Sequence, residues 1–254
     1  MTITKNILIE TPKGSNSVLV CGLPGSGFVG KIGADYLISV LNAMKIAEYR
    51  CNTFPPQVNV KEDGTVEPPK AELYFAKAEN GKGVMIFTAD AQPADPTDEY
   101  VLCDKVVKLA KKAGAREVYA LAAYITGYFP SVPKVYGAAT DRKMLAKLVE
   151  QGVTAMNEGA ITGMNGLVIG IASLYKMKAA CLLGETSGYV LDASASLSVL
   201  EALSRLTGIT FDMTKIRNRA EETKKLVNQL QKLAERGREQ PQEAGRERRP
   251  GYIS

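Results

Sequence analysis

Between Gly22 and Ile32 the chain reads GLPGSGFVGKI, which carries two phosphate-binding patterns at once. Gly25, Gly27 and Gly30 spell the GxGxxG of dinucleotide folds, and GSGFVGK supplies all but the last letter of GxxxxGK[ST]. Glycines suit both patterns because backbone amides must approach an anion closely, with a helix N-terminus behind them. Each pattern also needs a further group. A dinucleotide site requires an acid about 20 residues on, at the end of a second strand, but Glu48 falls inside AEYRC. A phosphate loop requires a hydroxyl after its lysine to hold magnesium, and Ile32 has none. Asp90, closing VMIFTAD, stands where a metal-holding carboxylate would. The competing explanation for Gly22, Gly25, Gly27 and Gly30 is steric: a tight strand-to-helix turn whose helix packs where a Cβ would clash.

Other chemistry is narrowed by residue types. Histidine is absent, which removes Ser-His-Asp and Cys-His nucleophiles, histidine bases and histidine metal sites. Cys21, Cys51, Cys103 and Cys181 form no CxxC pair, so they read as buried thiols of a reducing, cytoplasmic compartment. In DAQPADPTDEY, Asp90, Asp95, Asp98 and Glu99 either hold a divalent ion or cap the following helix. Tyr124, Tyr128, Phe129 and Tyr136, around ITGYFPSVPKVY, form either a partner surface or a packed loop. The expectation is a chain with no catalytic residue, cofactor or metal.

The elements that must position these residues follow from periodicity. SVLVCG is a buried strand, and a helix from Lys31 to Met44 follows the glycines, with Ile32, Tyr36, Leu37, Val40, Leu41 and Met44 on one face. KIAEYRC, QVNV, AELYFAKA and GVMIFT read as antiparallel or mixed strands joined by NTFPP, EDGT and EPP. Alternation of helix and strand then resumes: a helix over 97–113, strand EVYALAAY, a helix over 141–150, a helix ending near Lys176, strand KAACLLGE, and a helix from Asp192 to Arg205 stopped by Gly208. A long helix over 213–236 bears Ile216, Ala220, Thr223, Leu226 or Val227, Leu230 and Leu233 in a heptad-like stripe. That stripe docks either on its own domain or on another subunit.

The 254 residues carry 45% hydrophobic and 23% charged side chains and a formal net charge of +5, typical of a globular protein. Lys and Arg are dispersed, no nucleic-acid motif is visible, and no apolar run reaches the ~20 residues of a membrane span. The N-terminus lacks a secretion signal. Neither nucleic acid nor membrane is expected as a partner.

Seven segments, GLPGSGFVGKIGADYLI, TFPPQV, DAQP, PKVYGAATD, GAITGMNGLVIG, CLLGET and VLDASASLSVLEAL, together resemble the proteasome assembly chaperone family in its archaeal-type single-chain form. The resemblance runs from Ser17 to Ala234. It implies a nucleoside-phosphorylase-like α/β fold, a mixed sheet flanked by helices, in a homo-oligomer without enzymatic activity. It also implies that the glycines serve the fold, and that the partners are proteasome α-subunits or a paralogous assembly chaperone. Some members bind the α-ring through a C-terminal hydrophobic-Tyr-X tripeptide. Here the end is Gly251-Tyr252-Ile253-Ser254, with tyrosine third from last, so Tyr252, Ile253 and Ser254 are the expected partner-binding residues. The expected organisation is an α/β core over 1–212, the helix over 213–236 for oligomerisation or docking, and a disordered tail over 237–254. The alternative function is a nucleoside- or nucleotide-processing enzyme using Gly25–Gly30 as an anion site.

Overall fold

A computed structural model describes residues 4–7 and 16–239. Its centre is a nine-stranded mixed sheet ordered β1-β3-β6-β7-β2-β8-β11-β9-β10. The strands are β1 (Thr4–Ile7), β2 (Ser17–Gly22), β3 (Met44–Arg50), β6 (Ala71–Lys77), β7 (Gly83–Ala89), β8 (Ala115–Ile125), β9 (Val135–Ala139), β10 (Thr154–Ala155) and β11 (Lys178–Thr186). A separate small hairpin pairs β4 (Asn59–Val60) with β5 (Val66–Glu67). Strands β7, β2, β8 and β11 run parallel. The flank β1, β3, β6 and β7 is antiparallel, and β9 runs against β11.

Because successive strand residues face opposite sides, the sheet feeds two cores. Leu19 and Cys21 of β2 face the layer of α2 (Pro96–Lys112) and α4 (Gly163–Leu174). Val18 and Val20 face the layer of α1 (Val29–Val40), α3 (Arg142–Glu150) and α5 (Ala193–Thr207). The four cysteines are free and buried. Their apolar setting pushes the thiols of Cys21, Cys103 and Cys181 up, to about 12 for Cys181.

The helix after the glycines ends earlier than its periodicity predicts. Asn42 adopts a left-handed conformation (φ 48°), the amide of Ala43 returns to Ile38 O at 2.9 Å, and Met44 opens β3. α5 ends as expected at Gly208 (φ 68°). α6 spans Thr214–Glu239. It lies on α5 with Ile216 and Ala220 in the shared core, and Val227 is buried while Leu226 is 53% exposed. The apolar stripe therefore takes Val227, not Leu226, toward its own domain, where each large aliphatic side chain contributes about 1.5–3 kcal/mol by burial. The tail residues beyond Glu239 lie outside the described residues.

Candidate functional site

Parallel strands deliver their loops to one end, where open α/β sheets place their sites. The glycine loop leaves β2 there. Gly22 and Gly30 are closed to any side chain: a Cβ on Gly22 would strike the carbonyl oxygen of Gly30, and one on Gly30 the carbonyl oxygen of Leu121 in β8. Gly27 has φ 60°, and its position is hemmed by Thr186 Oγ1 at 3.1 Å and Asp192 Cβ at 3.4 Å. Gly25 differs from all three, being extended (φ −174°) with nothing near its missing Cβ.

Phe28 follows Gly27 in a left-handed conformation of its own (φ 52°), which costs about 1–2 kcal/mol for a residue with a Cβ. The turn is closed by Phe28 N donating to Gly25 O at 2.9 Å, and the phenyl group stands 43% exposed.

A second loop, 187–192, is pinned against the first. Asp192 N donates to Gly27 O at 2.8 Å. The buried Asp192 carboxylate accepts from Thr186 Oγ1 at 2.7 Å and from Ala195 N at 2.9 Å, capping α5. Ser196 Oγ then donates to Val29 O at 2.7 Å, tying α5 to α1. The third loop, 126–134, is held by the buried carboxylate of Glu185, which accepts from Tyr128 Oη at 3.1 Å and from Lys134 N at 3.2 Å. The bond to Glu185 raises the Tyr128 phenol above its ordinary pKa. Tyr124 and Tyr136 stack at 4.0 Å between centroids and pack against the core.

These anchored loops hold apolar side chains out to solvent. Phe28, Ile125, Tyr128, Val132, Tyr189 and Leu191 are all exposed, Tyr189 by 84%. The loops that carry Phe28, Ile125 and Tyr189 adjoin, since a Cβ on Gly188 would lie 3.4 Å from Ile125 Cγ2 and 3.8 Å from Ser26 Cβ. Beside them is a cleft of about 310 Å³ between Phe129–Ser131 and residues Thr223, Lys224 and Val227 of α6. Because α6 runs back along α5 toward this end, its twelve residues from 228 to 239 continue past the cleft, about 18 Å at 1.5 Å per residue.

Polar groups of the enzyme alternative are engaged elsewhere. A cleft of about 360 Å³ contains Gly25, Ser26, Gln92 and Asn165. Gln92 bridges Pro24 O at 2.6 Å and Met164 N at 2.8 Å, and Asn165 accepts from Leu23 N at 3.2 Å. Both amides thus fasten the glycine loop to α4. Lys31 pairs with Asp35 at 2.6 Å on its own helix. Asp90 accepts from Lys70 N at 3.1 Å, and Asp95 caps α2 through Thr97 N at 2.7 Å. Asp98 turns inward to Cys51 Sγ (2.9 Å) and Thr53 Oγ1 (2.6 Å). Among the described residues no three Cys, Asp or Glu side chains are grouped to hold a metal.

Of the residues expected from sequence, Gly22, Gly27 and Gly30 lie in the packed turn, Gly25 faces open space, and Tyr252, Ile253 and Ser254 lie outside the described residues. Sequence reasoning missed Glu185, Tyr189 and Leu191. The available signal was GYVLD, apolar residues between a strand and a capped helix where a turn is ordinarily polar.

A family model described as the PAC2 family matches residues 19–231. The Methanocaldococcus jannaschii protein MJ1210 is 34% identical over 221 residues, 87% of this chain and 85% of that one. The crystal structure of Pyrococcus furiosus PbaB, an archaeal proteasome activator, superposes with a TM-score of 0.81 at 31% identity, covering 90% of this chain and 98% of that one. That of Pyrococcus furiosus PbaA, an archaeal homolog of proteasome-assembly chaperone, gives 0.73 at 28% identity, covering 92% and 94%.

Proposed function

The chain belongs to the PAC2 family, and from that premise we propose that it is a non-enzymatic chaperone or adaptor of the 20S proteasome, engaging α-subunits either during assembly or in the ring. The observation that carries this reading is the apolar apron of Phe28, Ile125, Tyr128, Tyr189 and Leu191 on anchored loops beside α6. Exposed apolar groups clustered on a fixed backbone suit protein docking, because little freedom is lost on binding. The polar side chains nearby are spent on holding loops, which leaves binding as the mechanism.

In this reading α6 presents the tail at a distance from the body. Tyr252, Ile253 and Ser254 serve as a tethered contact, and several tails on one homo-oligomer raise the effective concentration at a ring of repeated sites. α6 beyond Val227 is the segment available for self-association. Similarity to PbaB and PbaA supports the partner class.

Native mass spectrometry of the full chain with proteasome α-subunits of its own organism tests the proposal. Complexes are expected with the full chain, weakened by Tyr189→Ser with Leu191→Ser and lost in a chain ending at Glu239. Absence of any complex with the full chain overturns the assignment; unchanged complexes in the truncated chain overturn the role of the tail.

A further inference from the structure

At the opposite, amino end of the parallel strands lies a groove of about 510 Å³ whose charged lining is Lys82, Lys111, Arg116, Lys147, Lys176 and Lys178 against one acid, Glu117. Glu117 is already taken by Lys147 at 3.1 Å. Lys111 donates to Tyr175 O and Lys82 to Thr207 O, which fixes the two ammonium groups without neutralising them. Arg116, Lys176 and Lys178 are exposed, and among the described residues none of the three has a carboxylate within ion-pair reach. Lys111 and Lys176 stand at helix C-termini, where the dipole favours a cation. Lys82 meets the C-terminus of α5 through Thr207 O in the same way, so only Arg116 and Lys178 lack such a cause; Lys82, Arg116 and Lys178 stand at the starts of three strands of the sheet.

The spacing of those three says what fits. Lys82 precedes β7, Arg116 begins β8 and Lys178 begins β11, in the order β7-β2-β8-β11. Three strand intervals of about 4.8 Å set the row at about 14 Å, the length of roughly four extended residues. A single phosphate cannot reach along it. The lining contains no aromatic side chain, so bases would find no stacking platform of the kind that single-stranded nucleic acid sites use. We propose that this groove binds an extended acidic segment of a protein partner, its Asp and Glu carboxylates laid across Lys82, Arg116 and Lys178. The surface is independent of the apron at the other end, and its test does not require a proteasome subunit.

Fluorescence anisotropy of labelled deca-glutamate with the full chain reads this directly. Saturable binding is expected, weakening as salt shortens the Debye length from about 30 Å to about 10 Å. R116E/K178E replaces two attractions with two repulsions and is expected to weaken binding by about tenfold or more. R116Q/K178Q should lose less. K215E/K225E, the same change of charge on exposed α6 positions, should bind as the wild type does, and matched melting curves verify folding. The proposal is overturned by no saturable binding, by equal loss in both charge-reversed variants, or by displacement of the peptide more readily by inorganic phosphate or by an oligothymidylate of equal charge. Displacement by the oligothymidylate would assign the groove to nucleic acid, and displacement by phosphate to a small anion.

Discussion

Gly25 and Gly30 belong to the same GxGxxG yet should respond oppositely to alanine. At Gly30 the added methyl meets a backbone carbonyl, Leu121 O, with Leu121 C at 3.0 Å behind it. β8 is flanked by β2 and β11, so Leu121 cannot retreat and α1 must lift instead. Overpacking of this kind costs about 1–3 kcal/mol, and at about 2–4 °C per kcal/mol for a domain of this size Gly30→Ala should melt roughly 2–12 °C below the wild type. At Gly25 the backbone is extended and the space open. Gly25→Ala should therefore be neutral, or stabilise by up to about 0.4–1 kcal/mol through the narrower unfolded ensemble. Urea unfolding gives the two energies as midpoint changes at constant m. Repeating the melts with nucleosides, nucleotides, phosphate and magnesium tests the other reading of the loop. A ligand at a hundred times its dissociation constant adds about 2.7 kcal/mol, and no such rise is expected. Equal loss in both variants, a Gly30→Ala protein as stable as the wild type, or ligand stabilisation that Gly25→Ala abolishes would refute the steric account.

Asp192→Ala should lose about 2–4 kcal/mol in urea unfolding, because it removes a helix cap and leaves the buried Thr186 hydroxyl without its acceptor; a loss under about 0.5 kcal/mol would show that the loop is held otherwise. Stability should vary little between about pH 6 and 8, since no histidine titrates there. Burial raises Tyr49, Tyr74 and Tyr119 above their ordinary pKa. Their contribution is complete below the unfolded value of about 10 and is lost as pH climbs through the higher folded values. On the acid side Lys70 and Lys61 hold Glu67 down to about 2, so its contribution is present above about pH 4.3 and lost as pH falls toward 2. Urea midpoints across pH check all three limbs, and a step near neutrality would contradict them.

Much of the fold is legible in short stretches. Unbroken apolar runs in SVLVCG and EVYALAAY mark strands buried between two cores, and Asp95, Asp141 and Asp192 each cap the helix that follows. The edges were less readable. VYGAA of β9 is short and glycine-bearing, yet it pairs because Gly137 lets Val153 and Leu148 close over it. The helix period admitted Leu226 and Val227 equally, and the folded structure buries Val227 and leaves Leu226 exposed.

By itself the sequence determined where most helices and the central strands lie, and it removed histidine chemistry, because propensity, capping and periodicity act over a few neighbouring residues. Tertiary structure decided the rest. Gly25 and Gly30 look equivalent in a motif and differ only through what stands opposite each. Phe28, Ile125 and Tyr189 become one surface, and Lys82, Arg116 and Lys178 one row, because strand order in the sheet differs from order in the chain. Contact across such crossovers depends on the geometry of the whole sheet, which no local stretch of residues encodes.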